Sequence, residues 1–195
     1  MQILPIEVSI KLGLRTSAIF DEIAQLEKEF FPKYPYSAAE IEKAHAKSDG
    51  KSMIAMDDGK VIGYLVPLFF DGKQYTQILT VAVHKEYRRK GYAQKLVEHF
   101  ERCAWEKGIK TIFVRAALSY PIICLFLKMK YLPLDKTAMD AFISEGLLSR
   151  EDRQHELRDV CWDKDILSVL GNVKAVEKDT KKENPFCFIP MVKEL

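Results

Sequence analysis

Between Ile78 and Phe100 the chain reads ILTVAVHKEYRRKGYAQKLVEHF: a β-branched apolar run, a short basic loop, then apolar residues at helical spacing. A strand ending at Val83 and a helix starting near Gly91 place the loop at a helix N-terminus. The first amides of a helix have no intrahelical partner and stand at the positive end of its dipole, so they attract anions, and a glycine there lets an anion approach the backbone closely. Lys85, Arg88, Arg89 and Lys90 add positive charge around that point. Such a cluster favours a ligand with several phosphates over a single carboxylate. On spacing alone, any anion site fits. A dinucleotide fingerprint needs three glycines where only Gly91 is present, and a GxxxxGK[ST] phosphate loop is absent, so both of those nucleotide folds are disfavoured.

The residues around this loop carry a more specific likeness. Val81-Ala82-Val83 followed by Arg88-Arg89-Lys90-Gly91-Tyr92-Ala93 resembles the acetyl-CoA motif of the GNAT acyltransferases, written Q/R-x-x-G-x-G/A. Downstream, VRAALSYPIICLFLKMKYLP resembles the family's next strand and helix, and upstream DGKVIGYLVPLFF resembles its central hairpin. The likeness covers residues 1 to about 133 and a closing strand at 186–193. It implies an α/β GNAT fold, with a mixed, mostly antiparallel central sheet flanked by helices. Its parallel fourth and fifth strands splay apart there, and the pantetheine arm lies in the gap. Carried over residue by residue, the backbone of Val81, Ala82 and Val83 would meet the pantetheine. Arg88 and the amides of Arg89, Lys90, Gly91, Tyr92, Ala93 and Gln94 would hold the pyrophosphate. Ser119 falls where many members place an asparagine near the cofactor, and it keeps a donor with shorter reach.

The implied reaction moves an acetyl group from acetyl-CoA to a primary amine, in a small molecule or on a protein N-terminus or lysine. That chemistry needs a base for the ammonium proton and often an acid for the departing thiolate. The family's usual positions hold Gln77, Val114 and Phe126, none of which can do either task, although Gln77 can orient a water. His84, Tyr120 and Tyr131 are the substitutes close in sequence to the cleft. A histidine titrates near neutral pH, which suits a base, yet one directly after this strand is common in the family without a catalytic role. Tyr131 replaces a core aromatic. The apolar setting of Cys124 (IICLF) points to packing rather than acylation. The missing carboxylate and tyrosine keep open a catalytically weak CoA-binding or regulatory module, and a general anion-binding α/β protein is a third reading.

The positioning elements follow from pattern. Residues 3–10 read as a strand and 16–31 as a helix capped by Thr16 or Ser17. Pro32 and Pro35 end that helix, and Ser37 with Glu40 three residues on is a capping box opening another. Strands at 51–56, 60–70 and 74–83 are separated by Asp58-Gly59 and Asp71-Gly72, which predicts an antiparallel meander. A helix over 91–107 ends at Gly108. A strand at 110–116 and a helix at 120–130 follow, the strand joined to its predecessor by a parallel crossover. Phe30, Phe31, Tyr34 and Tyr36 lie where relatives build part of the acceptor pocket; a staple between two helices is the equal alternative.

A single domain of 195 residues is expected, with a charged, partly helical insertion over about 134–184 that would cover the acceptor site or form a homodimer contact. The formal charge of only +2 gives no global reason for nucleic-acid or membrane binding. No stretch approaches the ~20 apolar residues of a membrane span, and the N-terminus lacks a signal-peptide layout, so a cytoplasmic protein is expected. Cys103, Cys124, Cys161 and Cys187 are widely spaced without a metal-ligand pattern. Free thiols and no metal are therefore expected.

Overall fold

The computed structural model describes residues 2–11, 13, 15–32, 34–117, 120–134, 144 and 188–195. The chain divides into two compact units, Met1–Ile112 with Leu195, and Phe113–Glu194. The fold is α/β, a seven-stranded mixed sheet flanked by helices.

In the first unit, β1 (Gln2–Pro5) pairs antiparallel with β2 (Met53–Asp57). The strand expected over 3–10 stops at Pro5, and Ile6–Lys11 forms helix α1 instead. Val8 is exposed, while Ile6 and Ser9 are buried at helical spacing. The Ser9 hydroxyl donates back to the Pro5 carbonyl (3.4 Å), a bond a helical turn makes available.

Helix α2 (Thr16–Phe30) buries Ile19, Phe20, Ile23, Ala24 and Leu26. Its cap residue is Arg15, with no side-chain cap, so neither Thr16 nor Ser17 fills that role. Helix α3 (Ala38–Lys47) does open on the expected capping box: Ser37 Oγ accepts from the Glu40 amide (3.3 Å) and Glu40 Oε2 accepts from the Ser37 amide (2.8 Å).

Strands β2, β3 (Lys60–Phe69) and β4 (Tyr75–Val83) form the expected meander. Asp58 and Gly59 both take positive φ (48° and 75°), as the tight turn between Asp57 and Lys60 requires. A bulge interrupts the β3/β4 ladder. Val66 faces Thr80 and Pro67 faces Ile78, so Leu79 has no partner. Pro67 has no N–H to give the ladder, which locates the irregularity. The helices α1, α2 and α3 pack on the face carrying Ile54, Tyr64 and Val66. Helix α4 (Tyr92–Glu106) covers the opposite face, where Phe100 meets Phe69 edge-on at 6.0 Å.

Helix α4 buries Leu96, Val97, Phe100 and Ala104 and closes on Gly108 at φ 74°. The Gly108 amide donates to Trp105 O (2.8 Å) and the Ile109 amide to Ala104 O (3.0 Å), a Schellman cap sealed by buried Ile109 over Ala104. The first residues of β5 (Thr111–Ala117) then lie beside the start of β4, since the Lys110 and Thr111 amides both donate to Gln74 O (2.7 and 3.2 Å). Both strands leave the same end, so they run parallel.

In the second unit the strand order is β5, β7 (Phe188–Glu194), β6 (Leu132–Pro133), and β6 pairs antiparallel with β7. The closing strand thus runs one residue beyond the expected 186–193, and β6 is an element the sequence did not announce. Helix α5 (Tyr120–Lys128) ends in a second Schellman cap. Lys130 takes φ 66°, its amide donates to Leu127 O (3.0 Å), and the Tyr131 amide to Phe126 O (2.9 Å). The rings of Phe126 and Tyr131 seal it at 5.1 Å. Of the segment 134–184, only Leu134 and Ser144 lie among the described residues, and Cys161 and Cys187 lie outside them.

Candidate active site

The chain leaves β4 at Val83, with the His84 amide still bonded to Ile62 O (2.8 Å), and makes a 3-10 turn over Lys85–Tyr87. Arg88 is extended, Arg89 turns left-handed at φ 60°, and Gly91 caps α4 in the left-handed region at φ 82°, ψ 4°. The first helical bond runs from the Lys95 amide to Gly91 O (3.0 Å). The amides of Tyr92, Ala93 and Gln94 thus precede that bond in the first turn of the helix, and Arg89, Lys90 and Gly91 lead into it. They are grouped at the positive end of a 15-residue helix, the arrangement that a pyrophosphate satisfies. A Cβ on Gly91 would meet no atom of the described residues beyond its chain neighbours within 4 Å. That glycine therefore answers a backbone need and leaves its outer side open, so an anion can approach the turn.

The basic side chains are not equivalent. Arg88 Nε donates to Val83 O (3.1 Å) and its guanidinium lies over the Phe30 ring at 4.9 Å, so it braces the end of β4 against α2. Lys90 Nζ sits 5.1 Å from the Tyr87 ring centre, and Tyr87 packs against Tyr92 at 6.4 Å. Burial, then the nearby Asp57 carboxylate, push the Tyr87 hydroxyl above its ordinary range, so it stays protonated. Lys85 pairs with Glu29 at 3.8 Å, and Arg89 is exposed at the apex.

His84 Nε2 lies 3.8 Å from Glu29 Oε2, while its Nδ1 is buried with no hydrogen-bond partner among the described residues. Gln77 is buried opposite Leu68, and Ala82 stands opposite Tyr64. Val114 and Phe126 are core residues, as is Tyr131 at 0% exposure. Tyr120 begins α5, Ser119 lies outside the described residues, and Cys103 and Cys124 are free thiols. Burial raises the Cys103 thiol above its usual range. No group of three metal-ligating side chains occurs among the described residues. No helix among them is long and apolar enough to cross a membrane.

The model of the acetyltransferase (GNAT) family matches residues 18–124, more than half of the chain. The chain belongs to the GNAT acetyltransferases. Among solved structures it is similar to Ard1 from Thermoplasma volcanium, at 16% identity over 68% of this chain and 83% of that one, with a TM-score of 0.55. It is similar to a chain of the NatC complex bound to Gag peptide and CoA, at 20% identity over 69% and 87%, TM-score 0.57. It also resembles N-acetylglutamate synthase from Neisseria gonorrhoeae, at 15% identity over all of this chain and 35% of that one, TM-score 0.59. At these identities the likeness concerns the fold. No curated protein matches the sequence.

This GNAT domain holds a carboxylate that reading by sequence passed over. Glu27 sits on the buried face of α2, one turn after Ile23, at 1% exposure. Its Oε1 accepts from Tyr64 Oη (2.6 Å) and from Thr80 Oγ1 (2.5 Å), and its Oε2 accepts from the Tyr36 amide (3.3 Å). The signal was present in the sequence: an acid at a position where the helical period calls for an apolar residue.

Proposed function

We propose that this enzyme transfers the acetyl group of acetyl-CoA to a primary amine, in a small molecule or at a protein N-terminus or lysine, and that it works in the cytoplasm without a metal. The observation that carries the reading is the left-handed turn at Arg89 and Gly91, which presents the N-terminal amides of α4 shortly after the bulged strand β4. In this reading residues 89–94 hold the pyrophosphate, Val81, Ala82 and Val83 meet the pantetheine, Ser119 supplies a further donor, and Arg88 holds the loop to the strand. Acetyl-CoA supplies a thioester carbonyl open to attack and a thiolate that leaves readily. Holding the amine in line with that carbonyl supplies much of the rate without strong acid-base help. The proton from the ammonium goes to His84 Nε2, where Glu29 faces the cation, or to a water oriented by Gln77; Tyr120 offers a hydroxyl to the departing thiolate. Tyr34, 70% exposed in the loop between α2 and α3, would face the acceptor, whereas Phe30 and Tyr36 pack on the core.

A catalytically weak CoA-binding module is the second reading, favoured by the family's acid-base positions being Gln77, Val114 and Phe126. Two measurements separate the readings. In thermal unfolding, acetyl-CoA at about 100 times its dissociation constant contributes roughly 2.7 kcal/mol, a rise of about 5–10 °C for a chain this size. ATP and phosphate should give less. Equal shifts with all three would reduce the site to a general anion cradle. Release of free CoA with an amine panel, well above hydrolysis, then rejects the module.

A further inference from the structure

Resting on the acyltransferase reading, we propose that Glu27 is a positioning residue that ties the acceptor side of the site to the cofactor strand. Three donors from three elements converge on this one carboxylate: Tyr64 from β3, Thr80 from β4, and the Tyr36 amide from the loop between α2 and α3. Thr80 follows the unpaired Leu79 of the bulge and directly precedes Val81. Leu79 packs on the core beneath α2 and Thr80 bonds to α2, so the bulge turns two consecutive residues towards that helix. The Tyr36 amide lies between exposed Tyr34 and the Ser37 cap of α3.

Packing alone does not call for an acid at this place. Neighbouring positions on the same face are Ile19, Ile23 and Leu26, and an apolar residue at a buried charged position is often as stable or more so. What the carboxylate adds is direction. Two short hydroxyl bonds fix the β3 and β4 side chains relative to α2, and the amide bond fixes the loop that leaves it. Burial, with the Glu27 charge, pushes the Tyr64 phenol far above its ordinary range, so Tyr64 remains a donor throughout the working pH range. Losing Glu27 frees the loop from β4 while the amides of residues 89–94, which take no part in the network, keep their arrangement.

The test is steady-state kinetics of Glu27→Gln, using whichever of tyramine, spermidine and lysine amide the wild type acetylates fastest, beside direct titration with acetyl-CoA. The expected result is an amine KM raised about tenfold or more, the scale of one lost charge-assisted hydrogen bond. The acetyl-CoA affinity should stay within about twofold of wild type, since cofactor binding and amine binding draw on separate groups. Thr80→Val, which removes one donor with little change of shape, should move the amine KM in the same direction, and Thr80→Ser should restore it. An unchanged amine KM overturns the inference while leaving the acyltransferase reading intact, as does a parallel loss of acetyl-CoA affinity, which marks Glu27 as a general fold residue. Should Glu27→Gln fail to fold, the Thr80 pair decides by the same criteria. No acetyl-CoA binding or no turnover by the wild type would sink the acyltransferase reading itself, and this inference with it.

Discussion

Gly91 adopts a left-handed conformation that costs an L residue roughly 1–2 kcal/mol, and among the described residues nothing beyond its chain neighbours stands within 4 Å of where its Cβ would be. Gly91→Ala should therefore lower the apo stability by about 1 kcal/mol, some 2–4 °C in the unfolding midpoint. In the proposed reading the added methyl stands in open space that a pyrophosphate at this turn would enter, so the stabilisation by acetyl-CoA should fall by more than the apo loss. Unfolding scans with and without acetyl-CoA check this, and a variant that loses apo stability yet keeps its full ligand shift would make Gly91 a structural turn only. The need for glycine here was legible in the sequence, because a basic loop running into a helix start has a physical meaning. The roles of the individual cations were not. Arg88 spends Nε on Val83 O and its face on Phe30, a use set by a ring some sixty positions away in sequence. Glu27 was legible only as an anomaly, a charge on an apolar stripe whose partners are chosen by β3 and β4.

Elements were readable where their own ends carry the signal. The Ser37–Glu40 box, the Asp58-Gly59 turn and the cap at Gly108 each use local chemistry, and each appears as expected. Three features escaped. Helix α1 won over a strand because Pro5 ends β1 and Ser9 goes into the core; β6 is two residues long and exists through β7; the β4 bulge follows from Pro67 on the neighbouring strand. The two Schellman caps make a paired prediction, because they share a bonding pattern with different residues at the left-handed position, Gly108 and Lys130. Gly108→Ala should destabilise by about 1 kcal/mol. Lys130→Gly should stabilise by roughly 0.5–1 kcal/mol, the relief of strain exceeding the extra unfolded-state entropy of glycine. Urea midpoints at constant slope measure both. Changes of the same sign would mean that the cap geometry is not what sets these stabilities.

At the scale of the whole molecule, the residues proposed to hold acetyl-CoA, Ser119 apart, fall within 81–94 and belong to the first compact unit. The charged segment over 134–184 is long for a link to the closing strand β7, and no residue of it is among those proposed to hold the anion. That separation yields a prediction. Replacing residues 135–187 by a short Gly/Ser linker should leave the acetyl-CoA shift within about twofold of wild type in apparent affinity, because the amide cradle is built by β4 and α4 and braced by α2. The same replacement should change the order in which amines are acetylated or convert a homodimer to a monomer, as the segment is proposed to cover the acceptor or join two copies. Thermal titration, the amine panel and light scattering report the three quantities independently. A lost acetyl-CoA shift would place the segment in the cofactor site and overturn the assignment made for residues 81–94. Unchanged amine order together with unchanged mass would remove both proposed roles of the segment, leaving acceptor choice to the loop between α2 and α3 that Glu27 holds.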